Sequence, residues 1–237
     1  MHFSTALHKG TLLKRYKRFL ADVKLTDGAI VTAHCPNTGS MESCYQEGCT
    51  IWVSHSDDPK RKLAWTWEFT EVESGFIGIN TARPNQIVAE AVAQGKIPGL
   101  TGYETVRREV KYGKNSRIDL LLEAKGLPAC YVEIKNTTLL RGESILFPDA
   151  VTERGRKHLE ELMDVVKSGQ RAVMVFFVNR PEGRQFSPAD TIDPEYAATL
   201  RKAATEGVEI IAVRALSALN SMTTGDTVPV KLEGFTL

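Results

Sequence analysis

The sequence predicts a chain of mixed class, in which a small β-barrel over residues 1–81 precedes an α/β domain over residues 82–237. Two observations lead to this prediction. Short strand-like segments separated by turn residues fill the first part of the chain, and five such strands in about 70 residues favour an OB-type barrel. Near Ala82 the spacing of apolar residues changes to the helical period, and helices then alternate with strands.

The barrel is predicted to begin with one long strand over residues 12–25, which keeps apolar residues among cations. Asp27-Gly28 is typical of a hairpin turn, so residues 29–35 form the return strand. Tyr16 and Phe19 are expected to pack in the barrel interior, because aromatic residues in strands are usually packed. Three further strands are expected, at residues 50–55, 63–72 and 76–80.

The α/β domain is predicted to open with a helix that begins near Pro84 and ends at Gly95. Thr152 is a good capping residue for a second helix, which Gly169 ends. The Asp193-Pro194 pair opens a third helix. The expected strands of this domain lie at residues 103–112, 117–123, 130–136, 171–178 and 208–213.

The most informative residues are Asp119, Glu133 and Lys135, which form the pattern D-x13-E-x-K at the ends of two adjacent apolar segments. Side chains two apart in a strand share a face, so Glu133 and Lys135 should project together. Two carboxylates and an ammonium are costly to bury, yet they suit a divalent metal with a lysine beside the phosphate or water. The alternative is a salt bridge on a solvated sheet edge.

Composition narrows the class of protein. The formal net charge is +1, but the first 25 residues carry six Lys and Arg against one Asp. The longest apolar run, residues 172–178, is far too short to span a bilayer, so we expect a cytoplasmic protein without membrane contact. The spacing C-x8-C-x4-C lacks the close cysteine pair of tetrahedral zinc sites, and a structural or incidental role is favoured for these thiols.

Basic residues cluster in three stretches that could contact nucleic-acid phosphates, although a solvated charged face is the alternative for each. In the stretch at the start of the second predicted helix, His158 is expected to pack or hydrogen-bond rather than act as a base. The candidates are Lys14, Arg15, Lys17 and Arg18; then Arg107, Arg108, Lys111, Lys114 and Arg117; and finally Arg154 and Lys157.

Five motifs resemble the sugar fermentation stimulation protein A (SfsA) family and run nearly from end to end of the chain. They are His34-Cys-Pro-Asn-Thr-Gly39, Glu109-Val-Lys-Tyr-Gly113, Ser116-Arg-Ile-Asp119, Tyr131-Val-Glu-Ile-Lys135, and Phe147-Pro-Asp-Ala-Val-Thr-Glu-Arg-Gly155 followed by Lys157-His-Leu159. The resemblance implies an N-terminal OB-fold, a C-terminal domain of the PD-(D/E)xK nuclease type, DNA binding, and a link to the control of sugar use, especially maltose.

In that fold the family pattern falls on Asp119, Glu133 and Lys135, with Ile118 where the nuclease motif usually has proline. The resemblance implies that Asp119 and Glu133 bind Mg²⁺ or Mn²⁺, with Glu90 as a further carboxylate on the metal side; an ordinary solvated helix glutamate is the alternative for Glu90. Two functions follow as hypotheses: a metal-dependent nuclease acting on DNA or else RNA, and a DNA-binding regulator of maltose metabolism that does not cleave.

Overall fold

A computed structural model of the protein describes residues 1–112 and 116–233. Its first part is a closed five-stranded barrel in the order β3-β2-β1-β4-β5, which a parallel pairing of β3 with β5 completes; β6 then extends the sheet from β5. The predicted OB-type barrel is therefore confirmed. The strands are β1 (His8–Tyr16), β2 (Leu20–Leu25), β3 (Ile30–His34), β4 (Thr50–His55), β5 (Trp65–Val72) and β6 (Gly75–Gly78).

The single strand predicted over residues 12–25 is wrong, because the chain reverses direction within it. Lys17 and Arg18 adopt positive φ angles of 49° and 66°, and this tight turn joins β1 to β2 as an antiparallel pair. Phe19 follows the turn and is 47% exposed, so the expectation that it packs inside the barrel is also wrong. Tyr16 is half-buried, and its hydroxyl donates to Asp22 at 3.1 Å.

The second part of the chain is built on a six-stranded mixed sheet in the order β15-β14-β12-β9-β8-β7. Its centre is parallel, since β12 pairs in parallel with both β9 and β14, whereas the outer pairs β7–β8, β8–β9 and β14–β15 are antiparallel. The strands are β7 (Thr105–Tyr112), β8 (Ser116–Glu123), β9 (Cys130–Thr137), β12 (Arg171–Val178), β14 (Glu209–Ala218) and β15 (Ser221–Thr227).

Within the described residues, three helices cover the two faces of this sheet, and apolar stripes explain their packing. Helix α1 (Arg83–Ala93) buries Ile87 and Val88 against one face, while α2 (Glu153–Lys167) and α3 (Pro194–Thr205) cover the other. As predicted, Thr152 caps α2, its hydroxyl accepting from the Gly155 backbone N–H at 3.0 Å. None of the helices in residues 1–112 and 116–233 is long and apolar enough to cross a bilayer.

A small second sheet, which the sequence did not predict, lies beside the α/β domain. It contains β10 (Leu139–Arg141), β11 (Ser144–Phe147) and β13 (Gln185–Pro188) in the order β10-β11-β13. These segments have three or four residues each, too few for an alternating apolar pattern to be recognised.

Barrel and α/β domain meet in a tightly packed joint. Gly39 lies so close to the Asp149 carboxylate that a β-carbon at this position would overlap its oxygens. The same carboxylate accepts from the Met41 backbone N–H at 3.3 Å. Deeper in the joint, the buried Arg180 donates to the carbonyl oxygen of Thr138 at 2.7 Å and to the hydroxyl of Ser43 at 3.0 Å. The two parts are therefore held in one relative position.

Candidate active site

The candidate site lies where β8 and β9 separate. The two strands pair over only three positions, from Leu122 opposite Cys130 to Leu120 opposite Val132. At the next position the Asp119 side chain takes the place of a backbone partner, because its Oδ2 atom accepts from the Ile134 backbone N–H at 2.7 Å. The Asp119 carboxylate is thus fixed directly beside the strand that carries Glu133 and Lys135.

Alternation along β9 places Glu133 and Lys135 on the face covered by α2, while Val132 and Ile134 point into the core beneath α1. The Lys135 Nζ atom donates to Glu133 Oε1 at 2.7 Å. Glu133 is 3% exposed, and its other oxygen, Oε2, has no hydrogen-bond partner among the described residues. A buried carboxylate oxygen without a partner is unusual and calls for an explanation.

His158 on α2 completes the surroundings of Glu133. Its Nδ1 atom forms a hydrogen bond with Glu133 Oε1, and Lys135 Nζ lies 3.1 Å from the same ring nitrogen. On the other side of the ring, Arg154 Nε donates to Nε2 at 3.3 Å. Because Nε2 accepts, the proton of the neutral ring is placed on Nδ1, where it can be donated to Glu133. The hydrogen-bonding role expected of His158 is confirmed.

The two carboxylates differ in their electrostatic environment. Burial and the nearby charge of Glu133 raise the pKa of Asp119 to about 6. Burial would also raise the pKa of Glu133, but the hydrogen bond from His158 and the charge of Lys135 outweigh it, so that this pKa lies below its ordinary value. Glu133 is therefore ionised at neutral pH, and it opposes the ionisation of its neighbour.

Glu90 is not brought to this pair. Its carboxylate forms a 2.6 Å ion pair with the Met1 amino group and accepts from Gln86 at 2.8 Å. Helix α1 instead presents Asn85, whose Nδ2 atom donates to Asp119 Oδ1 at 2.7 Å. Across residues 1–112 and 116–233, no group of three or more His, Cys, Asp or Glu side chains is arranged to hold a metal. The three carboxylates that the resemblance implies, Asp119, Glu133 and Glu90, are thus not brought together in this structure.

Sequence reasoning missed Asn85 as a partner of the site. A single asparagine in the first turn of a helix follows no recognisable spacing, and only the packing of α1 against β8 brings it to Asp119. The only available signal was its place beside Pro84, which fixes the start of the helix.

Most of the predicted phosphate-binding cations lie at the surface. Arg15 differs, because its Nη2 atom is turned inward and donates to the carbonyl oxygens of Asn37 at 3.0 Å and Gly39 at 3.1 Å. Arg107 pairs at the surface with Glu123. Lys114 lies outside the described residues. The exposed candidates are Lys14, Lys17 and Arg18 on the barrel, Arg107, Arg108, Lys111 and Arg117 on β7 and β8, and Arg154 and Lys157 on α2.

This arrangement can bring a cation and a phosphate group together. Two carboxylates provide oxygen ligands, which hard divalent cations prefer. Lys135 adds a positive charge within reach of the same place, and His158 holds one oxygen of Glu133 so that the other remains free.

Comparison with known proteins identifies both parts of the chain. A family model described as "SfsA N-terminal OB domain" matches residues 13–79, and one described as "Sugar fermentation stimulation protein RE domain" matches residues 82–220. A sugar fermentation stimulation protein homolog from Geobacter sulfurreducens is 56% identical over 210 residues, covering 89% of this chain and 90% of the relative. The homolog from Geobacter metallireducens is 52% identical over 234 residues, which is 98% of this chain and 100% of the relative.

A solved structure agrees with these matches. The SfsA protein of Pyrococcus furiosus, determined in complex with Ca²⁺, superimposes with a TM-score of 0.88 at 26% identity and covers 98% of both chains. Sequence and structure thus give the same relationship over nearly the whole length. The chain belongs to the sugar fermentation stimulation protein family.

Proposed function

We propose that this protein binds nucleic acid and hydrolyses phosphodiester bonds with a divalent metal, Mg²⁺ or Mn²⁺, held by Asp119 and Glu133. One observation carries the proposal: where β8 and β9 separate, Asp119 lies close enough to Glu133 and Lys135 for both charges to act on its carboxyl group. The Ca²⁺ in the solved structure of the Pyrococcus furiosus relative supports a divalent cation in this family.

The residues present fit such a cation. Glu133 Oε2 is buried and has no hydrogen-bond partner within residues 1–112 and 116–233, and the pKa of Asp119 is raised by burial and by the charge of Glu133. Glu133 thus offers an oxygen that no donor occupies, and Asp119 offers a carboxylate whose negative charge the surrounding protein does not stabilise. A divalent cation held by these two carboxylates would supply Lewis-acid polarisation of a phosphate and would make a water more acidic.

The neighbouring side chains have distinct roles in this proposal. Lys135 donates one hydrogen to Glu133 and has two more for a phosphate oxygen or an attacking water, so it offsets negative charge that develops on the phosphate. His158 is a positioning residue, since it fixes Glu133 through Oε1 and leaves Oε2 free. Asn85 and the Ile134 N–H orient the Asp119 carboxylate.

Exposed cations supply the binding surface for the phosphate backbone. Lys14, Lys17 and Arg18 offer it on the barrel, while the basic residues of β7 and β8 offer it next to Asp119. Phosphate contacts of this kind give affinity without reading sequence. DNA is the partner we propose, with RNA as the alternative substrate.

A second candidate is a cytoplasmic DNA-binding regulator of maltose metabolism that does not cleave. It is favoured by the mutual pairing at the site, where Lys135 binds Glu133 and the Asp119 carboxylate already accepts from Asn85 and Ile134. Polar groups that are already paired with one another need no metal, so a protein with such a site can bind DNA without cleaving it.

One experiment distinguishes the nuclease from the regulator. The purified protein is incubated, with Mn²⁺ or with EDTA, with labelled single-stranded, double-stranded and branched DNA and with RNA. The nuclease proposal expects Mn²⁺-dependent cleavage that Asp119→Asn, Glu133→Gln and Lys135→Ala each remove while binding persists. Binding by wild type with no cleavage of any substrate would favour the regulator. Cleavage that survives all three substitutions would place the chemistry elsewhere.

A further inference from the structure

An open, mainly apolar pocket lies on the barrel, at the seam where β3 pairs with β5. Its volume is about 510 Å³, and none of the three residues of the candidate active site lines it. The floor is fixed by strand pairing, because Leu20 lies opposite His34 and His34 opposite Thr66. The lining residues are Phe19, Leu20, His34, Arg61, Lys62 and Leu63.

Phe19 is the least expected member of this pocket. The turn at Lys17 and Arg18 places it at the tip of the hairpin, where its side chain is 47% exposed and joins none of the hydrophobic clusters of the described residues. Its backbone is nevertheless held, because the Phe19 carbonyl oxygen accepts from the Cys35 N–H at 2.8 Å. The protein thus presents an aromatic ring to solvent on a fixed support.

The rim of the pocket is positively charged. Exposed Arg61 and Lys62, from the loop between β4 and β5, line it, and exposed Lys17 and Arg18 lie next to it because they directly precede Phe19 on the turn. Arg61 also donates to the Thr66 hydroxyl at 2.6 Å, which fixes its guanidinium near the pocket.

The two acidic residues of that loop, Asp57 and Asp58, are exposed and have partners within the loop or at its edge. Asp57 lies 3.2 Å from His55, and Asp58 accepts from the Lys60 backbone N–H at 3.0 Å. Neither carboxylate lines the pocket. An aromatic ring surrounded by cations is the combination by which proteins bind single-stranded nucleic acid, with bases stacked on the ring and phosphates on the cations.

We propose that this pocket binds an unpaired nucleobase of single-stranded nucleic acid, with the base stacked on Phe19 and the flanking phosphates held by Lys17, Arg18 and Lys62. This proposal rests on the nucleic-acid binding proposed above. It adds that the barrel prefers single-stranded to double-stranded nucleic acid. In a duplex the base faces are covered by neighbouring bases, so the ring has nothing to stack on. The cationic rim argues against an uncharged apolar partner, which would gain nothing from four positive side chains.

The test uses the full chain in EDTA, so that no probe is cleaved. The probes are a short oligothymidylate with one central 2-aminopurine, the same length of abasic backbone, and the matched duplex. Phe19→Ala should weaken binding of the single strand roughly tenfold, the scale of one lost base–aromatic stack, and should leave binding of abasic backbone and duplex unchanged. The 2-aminopurine fluorescence should be quenched by wild type and not by Phe19→Ala.

Two further variants keep the result interpretable. Phe19→Trp should restore the single-strand affinity, and its tryptophan fluorescence should be quenched on binding by more than that of wild type, which has the other three tryptophans. Ile30→Ala is the matched control, because Ile30 is also an exposed apolar side chain of the barrel, 67% exposed, and lies outside the pocket. This variant should bind all three probes as wild type does.

Each other outcome overturns the proposal in a distinguishable way. If Phe19→Ala binds the single strand as wild type does, or loses duplex and abasic affinity equally, the pocket does not hold a base although nucleic-acid binding stands. If wild type binds only duplex, the preference for single strands is wrong. If wild type binds none of the probes, nucleic-acid binding itself fails, and the pocket proposal fails with it.

Discussion

The Asp119 carboxylate accepts the Ile134 backbone N–H at 2.7 Å, so a side chain of β8 occupies the position that a backbone carbonyl would normally take in the sheet. Regular pairing of β8 with β9 stops at Leu120 and Val132, one position before this bond. The sheet therefore opens where its charged residues are placed. The Asp119 side chain thus contributes both to the candidate active site and to the end of the β8–β9 pairing.

Asp119→Asn should stabilise the metal-free protein at pH 7.5. The pKa of Asp119 is about 6 in the folded protein against 3.8 as its ordinary value, so ionisation there opposes folding. The free energy of unfolding therefore falls as the pH rises from the ordinary pKa to the pKa of the folded protein. At a pH above both values the loss is on the order of 1–3 kcal/mol. Thermal unfolding in EDTA should show the variant melting higher at pH 7.5 and level with wild type near pH 4.

Asp164→Asn is the matched control, because Asp164 is an exposed carboxylate of α2, with 79% of its side chain accessible. It should change the melting temperature little at either pH. A lower melting temperature for Asp119→Asn at pH 7.5 would mean that the hydrogen bonds from Ile134 and Asn85 outweigh the cost of burying the charge.

Glu133→Gln should remove the Mn²⁺ site, because the substitution replaces by a neutral amide an anionic oxygen that has no partner in the described part of the chain. Isothermal titration with Mn²⁺ should show at least about tenfold weaker binding, since oxygen charge dominates the affinity of such sites. Glu90→Gln should bind Mn²⁺ as wild type does, because the Glu90 carboxylate is paired with Met1. Loss of the metal in Glu90→Gln would show that Glu90 is a ligand after all.

Replacing Lys14, Lys17 and Arg18 together by Gln should reduce the salt dependence of nucleic-acid binding. Each phosphate contact contributes about 0.9 to the slope of log K against log salt on duplex DNA and about 0.7 on a single strand. Fluorescence anisotropy over a range of salt concentrations measures this slope. An unchanged slope would remove the barrel from the binding surface.

Arg15→Gln provides the contrast to that triple variant. Its guanidinium is hydrogen-bonded to the carbonyl oxygens of Asn37 and Gly39, so the substitution should lower stability and leave the salt slope nearly unchanged. A slope that falls with Arg15→Gln alone would show that Arg15 turns outward to phosphate when nucleic acid binds.

Gly39→Ala should weaken the joint between barrel and α/β domain. The new methyl group would displace the Asp149 carboxylate from the Met41 N–H, and the loss of that hydrogen bond should cost on the order of 1 kcal/mol. Chemical denaturation should show lower stability for Gly39→Ala, and Asp149→Ala in the same chain should recover part of the loss. The exposed Thr38→Ala is the control. Additive effects of Gly39→Ala and Asp149→Ala would contradict a direct contact.

The pattern of Asp119, Glu133 and Lys135 could be predicted because strand periodicity determines which side chains share a face, and the structure has Glu133 and Lys135 in contact. The barrel was predictable for a similar reason, since its strands alternate and are separated by recognisable turns. The exposure of Phe19 could not be predicted, because residues 12–25 have the pattern of one continuous strand and nothing in that pattern indicates the turn at Lys17.

Partners that come from distant segments were also beyond prediction. Asn85 and His158 reach Asp119 and Glu133 from two helices on opposite faces of the sheet. Their contacts depend on how α1 and α2 are packed, which no local spacing encodes. The same holds for Arg15, whose sequence context is that of a phosphate-binding cation and whose actual partners are backbone carbonyls from residues 37 and 39.

The close approach of Gly39 to Asp149 has a consequence for how the two parts would work on one strand. This contact and the hydrogen bonds of Asp149 with Met41 and of Arg180 with Ser43 tie the two domains together, so the barrel pocket and the candidate active site stay at one separation. A nucleic acid anchored by one base at Phe19 would then meet the acidic residues a set number of nucleotides away. The position of cleavage would then be determined by the distance from the bound base and not by the nucleotide sequence.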